Sequence, residues 1–426
     1  MLDYRDLRLP ELDDVVPPSM RLVNLRFDET RIPDVFDHVL KQRPRIQADL
    51  SGRKIGVAVG SRGIANLADI VRAAVRLVQA CGGEPLIIPS MGSHGGATAD
   101  GQKAVLAALG ITEKTVGAPI ASAMDTRVIG SAPNGLPLVV AETALACDGI
   151  VLVNRIKPHT GFKGEVESGL LKMAMIGLGK VAGAVNAHRR RLRDFPEMLQ
   201  CYFEAFARRV PVVFAVGVVE NAYDNTLRAE VIPTERVVDE EKTLLRLAKA
   251  NLPRLPVKNL DVLIIQEMGK EISGPGIDPN VTGKSNSKDF DRTAANVPDI
   301  EKMVCLSLTP ASHGNASGVG INDVISKRLF DAMDVATTYR NVITAGVYNS
   351  ARVPIVMKDD WDAVRLALMP FDRVSCQVAW IRNTLHLRRV AVSKACLAEL
   401  PDWADVDGEP FELPFVDGML DVSMLG

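Results

Sequence analysis

Lys54-Ile55-Gly56-Val57-Ala58-Val59-Gly60-Ser61-Arg62-Gly63 is the stretch on which the fold turns. A short apolar run without polar alternation reads as a strand buried on both faces, and the glycines that follow read as a turn. Residues 65–80 then carry apolar side chains at helical spacing until Gly82 and Gly83 stop them. The same order recurs in a strand at 85–89, a glycine-rich loop at 91–98 and a helix at 99–109 ended by Gly110. A third strand at 149–154 leads into a long loop at 157–169, and the chain turns helical from Leu170. Repeated strand-turn-helix units of this kind predict an α/β fold with a largely parallel sheet.

Further along, a strand at 212–219 and a polar stretch through Asn221 and Asn225 precede a charged amphipathic helix over 234–251. The breakers Pro253 and Pro256 and a strand at 260–266 follow, which sets a domain boundary there. The C-terminal part alternates again: strand 303–308, Gly/Ser loop 312–320, helix 321–333, strand 353–357, helix 361–368 and strand 377–381. The expected architecture is an N-terminal α/β domain over 1–255 and a C-terminal α/β domain over 256–426, with a cleft between them. A chain of 426 residues exceeds one ordinary core, and 47% hydrophobic with 24% charged residues is ordinary globular composition. The segment 275–298, rich in Pro, Asn, Ser, Asp and Lys, is too long for a plain connection and reads as a functional loop.

Fifty basic and 52 acidic residues leave a net charge of −2, which excludes a field strong enough to gather nucleic acid or anionic lipid. The N-terminus has acids and prolines where a signal peptide needs a basic start, and no run approaches the roughly 20 apolar residues of a membrane helix. Six cysteines with no C-x-x-C pair suggest reduced thiols in a cytoplasmic protein. The expected partner is a small molecule.

Six histidines occur, and three sit in informative places. His94 lies in Met91-Gly92-Ser93-His94-Gly95-Gly96-Ala97-Thr98, after the strand ending at Pro89; His159 lies in Lys157-Pro158-His159-Thr160-Gly161, after the strand ending at Asn154. Loops at the carboxyl ends of parallel strands converge on ligands, so both are expected on one rim. Imidazole titrates near pH 6.5, and a facing pair can take a proton on one side of a substrate and return it on the other. The same histidines also suit loop caps bonded to backbone carbonyls. Lys172, among Leu170, Leu171 and Met173, is placed to act as a nucleophile or cofactor anchor, and equally to reach past apolar neighbours to water. His188 precedes Arg189-Arg190-Arg191, a run that also fits a solvated helix face. The loop Ser312-His313-Gly314-Asn315-Ala316-Ser317-Gly318, expected to open onto a helix, suits either an anion held by backbone N–H groups or a plain turn. His38 and His386 read as structural.

Together these segments, over about residues 50–190, resemble the nickel-dependent lactate racemase family. The resemblance implies that His94 and His159 are the catalytic histidines. It implies that Ser168-Gly169-Leu170-Leu171-Lys172 carries a nickel pincer nucleotide (pyridinium-3,5-bisthiocarboxylic acid mononucleotide) covalently attached to Lys172, with His188 on the metal. The implied reaction removes the hydroxyl proton to one histidine and the carbon-bound hydrogen as hydride to the cofactor, then returns hydride to the other face. Cofactor maturation enzymes are implied partners.

Two departures bear on the substrate. Of the family's first loop only Arg62 persists, beside Ser61; the pair is assigned to cofactor binding, and Arg62 can also grip a carboxylate bidentately. The Tyr-Gln pair of the lactate enzymes is replaced by Lys270-Glu271-Ile272-Ser273-Gly274-Pro275-Gly276-Ile277-Asp278-Pro279-Asn280. The implied substrate is therefore a larger or more polar 2-hydroxy acid, such as a sugar acid, contacted by Arg62, Lys270, Asn280 and His313. The alternatives are a non-catalytic cofactor- or metabolite-binding protein and a nicotinamide-dependent dehydrogenase. The dehydrogenase lacks its G-x-G-x-x-G after the first strand.

Overall fold

The Lys54–Val59 strand is buried at every residue but its first, and it pairs in parallel with Glu84–Pro89 on one side and Gly149–Arg155 on the other. In the computed structural model, which describes residues 9–60 and 63–426, these strands belong to a five-stranded sheet completed by Val212–Glu220 and Thr226–Pro233. The first four are mutually parallel and the last is antiparallel. Both faces are covered, which is why the strands read as unbroken apolar runs. Val57, Val59, Val151 and Val153 pack with the Leu67–Ala80 helix in one core, while Ala58, Ile150 and Leu152 join Leu170, Phe195 and Leu244 in the other. Chain order in this sheet runs outward both ways from the Lys54–Val59/Gly149–Arg155 pair. Such a reversal leaves a crevice at the carboxyl ends of the central strands, where open parallel sheets place their ligands.

The chain divides into two units, Asp28–Asn251 and Met1–Phe27 with Leu252–Gly426. The expected 1–255 domain therefore cedes its first residues. Met20–Leu25 pairs antiparallel with Arg389–Ser393 and with Ala404–Phe411, so backbone hydrogen bonding holds it in the second unit. That unit is built on an eight-stranded sheet ordered Ile355–Met357, Val324–Ser326, Asp299–Leu308, Asn259–Met268, Val378–Ile381, Arg389–Ser393, Met20–Leu25, Ala404–Phe411. The first five run parallel and the rest antiparallel. The protein is thus α/β with mostly parallel strands.

The expected helix over 321–333 is corrected. A 3₁₀ turn at Val319–Ile321 leads to the strand Val324–Ser326, and only Lys327–Ala332 is helical. Val324 and Ile325 fill a slot between Asp299–Leu308 and Ile355–Met357. The 312–318 loop consequently has no helix directly behind it, which removes the dipole that motivated an anion site there. Among the described residues no single helix is long and apolar enough to cross a membrane.

Candidate active site

A pocket of about 230 Å³ opens at the chain reversal, lined from the carboxyl ends of three adjacent strands and the turns after them: Gly60, Ser90 to His94, and Asn154, Arg155 and Lys157. Its other wall comes from Ser168, Lys172, Met173, Ile176, Gly177, Ala184 and His188. The volume is below the ~300–1,000 Å³ of pockets for drug-sized ligands. It suits a small acid, or the enclosed part of a larger group.

The structure brings His94, Ser168, Lys172 and His188 to this one pocket. His94 rides on a loop with left-handed backbone at Gly92, Gly95, Gly96 and Ala97, and Gln102 Nε2 donates from beneath to the Gly92 carbonyl at 2.9 Å and the His94 carbonyl at 3.3 Å. Lys172 is half-buried. Its segment is fastened to the sheet by Asn154 Nδ2, which donates to the Gly169 carbonyl at 2.7 Å. The packing is close: a Cβ on Gly177 would stand 2.6 Å from the Ser90 carbonyl oxygen, so only glycine lets this helix approach the Ser90 turn. His188 is exposed at the pocket edge, and its ring lies 5.8 Å from that of Phe195. Burial, then the Lys172 ammonium, hold the His188 pKa below its ordinary value.

His159 is not among the lining residues. It is half-buried beside them, in a loop whose ends Lys157 and Ser168 close by reciprocal backbone hydrogen bonds of 2.8 and 3.2 Å. Its ring stacks on Phe162 at 4.2 Å; Phe162 packs on Phe195 at 5.2 Å, and Phe195 on His188, so four rings in contact join the two histidines. His159 Nδ1 accepts the Gly161 N–H at 3.0 Å, which puts the proton of the neutral ring on Nε2. Behind the loop Glu167, fully buried, accepts the His159 N–H at 2.6 Å and the Gly164 N–H at 3.1 Å and pairs with Lys249 at 2.6 Å.

Ser61 and Arg62 lie outside the described residues. Lys270, Asn280 and His313 belong to the other unit. Lys270 Nζ donates to the Gly274 carbonyl and to Asn341 Oδ1, the backbone N–H and Nδ2 of Asn280 each donate to Asp278 Oδ1 at 2.8 Å, and His313 takes a left-handed conformation closing a 3₁₀ turn. Unforeseen contributors are Ser90, Asn154, Arg155 and Lys157. Arg155 and Lys157 were visible in the sequence, flanking Ile156 just before His159, as cations at a strand end. Arg155 is ion-paired with Glu220. No carboxylate stands among the lining residues, so the pocket is electropositive and suits an anion.

No family model matches this chain, and no curated protein matches it. Among solved structures it is similar to a structural-genomics crystal structure from Thermotoga maritima, at 13% identity and a TM-score of 0.46 over 64% of this chain and 69% of that one. It is also similar to the lactate racemase apoprotein from Thermoanaerobacterium thermosaccharolyticum, at 12% identity and a TM-score of 0.42 over 82% of this chain and 94% of that one.

Proposed function

We propose that the protein is a racemase or epimerase of a 2-hydroxy acid, with His94 and His159 as its acid/base residues. The reading is carried by one observation: a pocket at the sheet's chain reversal collects His94, Lys157, Lys172 and His188 with no carboxylate among them. Lys157 is the group proposed to hold the substrate carboxylate, with Arg62 as a second. His94 is exposed at the rim and takes the hydroxyl proton. His159 returns a proton to the oxygen from the other side when its ring is protonated, a state in which Nδ1 no longer accepts the Gly161 N–H.

The donor set also fits a nickel pincer nucleotide. No group of three or more His, Cys, Asp or Glu side chains able to hold a metal occurs among the described residues. A metal in this pocket would therefore take most of its ligands from an organic group, with His188 adding one imidazole and Lys172 the covalent anchor. Sulfur and imidazole donors suit nickel. A lowered His188 pKa favours the neutral ring that ligates metals. When bound, the group supplies the acceptor and donor of hydride. The chain's own residues orient the acid and move its hydroxyl proton.

The test uses protein produced with the cofactor maturation enzymes and a panel of enantiopure 2-hydroxy acids, followed by chiral analysis. The expected result is conversion of at least one acid, reduced in H94A and in H159A by about 10²-fold or more. No conversion of any acid by loaded protein contradicts the reading. Acid binding retained with no conversion in the wild type identifies a carrier instead.

A further inference from the structure

Lys180 stands at the corner between the Leu170–Gly177 helix, which bears Lys172, and the Lys180–His188 helix, which bears His188; the two meet at 108°. It is 1% exposed, and among the described residues no carboxylate pairs with it. Its φ of +52° is a left-handed conformation that an L residue keeps only where its surroundings hold it. A buried lysine without a counter-ion is costly, and an apolar side chain of similar length would fill the space at less cost. Filling space therefore does not account for it.

Its hydrogen bonds do. Nζ donates to the Pro89 carbonyl at 2.6 Å, where the Glu84–Pro89 strand ends, and to Gln102 Oε1 at 2.7 Å. An ammonium or amine with its N–H groups aimed at Gln102 forces that amide to present its oxygen, so the NH2 group must point the other way. There it meets the carbonyls of Gly92 and His94. Gln102 is fully buried, so no water offers an alternative orientation. Burial lowers the Lys180 pKa to about 8. The neutral amine still has two N–H groups for two acceptors, so the arrangement survives on both sides of that value.

We propose that Lys180 and Gln102 are positioning residues: Lys180 sets the corner that presents Lys172 and His188 together, and by orienting the Gln102 amide it pins the loop that presents His94. This rests on the reading that these three side chains share one site, but its test requires neither cofactor nor turnover.

The full chain is labelled with 13C at histidine Cε1, and the His94 and His188 resonances are assigned by their loss in H94A and H188A. In Q102M the His94 resonance is expected to move while His188, His38 and His386 stay. In K180M both His94 and His188 move, and amide exchange across 91–98 quickens about tenfold or more in each variant. The double variant Q102M/K180M buries an apolar pair and is expected to melt no lower than either single variant, with His94 still displaced. A return of the His94 resonance to its wild-type position in the double variant overturns the proposal, as does an unmoved His94 in folded Q102M. Should K180M fail to fold, Q102M and the double variant decide. Absence of racemase activity would sink the proposed function and leave these shifts as they are.

Discussion

Glu241, on the Val237–Ala250 helix, is fully buried beneath the segment that bears Lys172. Its Oε2 accepts the Leu171 N–H at 3.0 Å, and its Oε1 has no hydrogen-bond partner among the described residues. Burial raises its pKa from 4.5 to about 7, against the pull of the Leu171 and Leu170 amides. Below pH 4.5 this carboxyl is protonated in folded and unfolded chains alike and its contribution to stability is at its fullest. Between 4.5 and 7 the unfolded chain ionises first, so stability is lost as pH rises, by about 3 kcal/mol across the window. E241Q has no such group. Urea unfolding from pH 4.5 to 8 should show wild type losing stability relative to E241Q over that range; parallel profiles would refute the burial argument. His94, Lys172 and His188 were legible because they follow parallel strands or stand in unusual contexts. Glu241, Gln102 and Lys180 were not, since a carboxylate on a charged helix reads as solvated and nothing local reveals that the chain folds over it.

At the level of elements, the Val237–Ala250 helix braces the loop that carries His159. Lys249 pairs with buried Glu167 at 2.6 Å and donates to the Gly164 carbonyl at 3.0 Å, while Lys242 reaches the exposed Glu165 at 2.8 Å. The two pairs differ in worth. K249M takes the nearest cation from buried Glu167, leaving it Lys163 at 3.8 Å and the His159 and Gly164 N–H groups, and should cost about 1–3 kcal/mol in urea unfolding; K242A breaks a pair exposed on the Glu165 side and should cost about 0.5 kcal/mol or less. Equal costs would contradict the bracing role. The parallel strands were legible because burial on both faces leaves a continuous apolar run. The misread helix at 321–333 has an equally plain cause: Ile321, Val324, Ile325 and Leu329 fall at helical spacing, and a three-residue strand is too short for periodicity to oppose it. The antiparallel Thr226–Pro233 strand was missed because its turn through Asn221 and Asn225 read only as a polar stretch.

For the molecule as a whole, the surprise is the chain's beginning. Met20–Leu25 lies between Arg389–Ser393 and Ala404–Phe411, joining residues more than 300 positions away, a pairing that local pattern does not encode. Removing residues 1–27 should strip Ala404–Phe411 of its neighbour in the sheet. Limited proteolysis should then cut first around 404–411 and leave a resistant fragment spanning 28–251. Cleavage spread evenly over both units would count against the division.

Lys172 is proposed to anchor a metal-bearing group within reach of His94 and His188. Peptide mass mapping of the full chain, produced with the cofactor maturation enzymes, tests it most directly. A covalent adduct is expected on the Lys172 peptide, accompanied by nickel and absent from K172A. An active wild-type protein whose adduct sits on another residue, or which carries none, would contradict it.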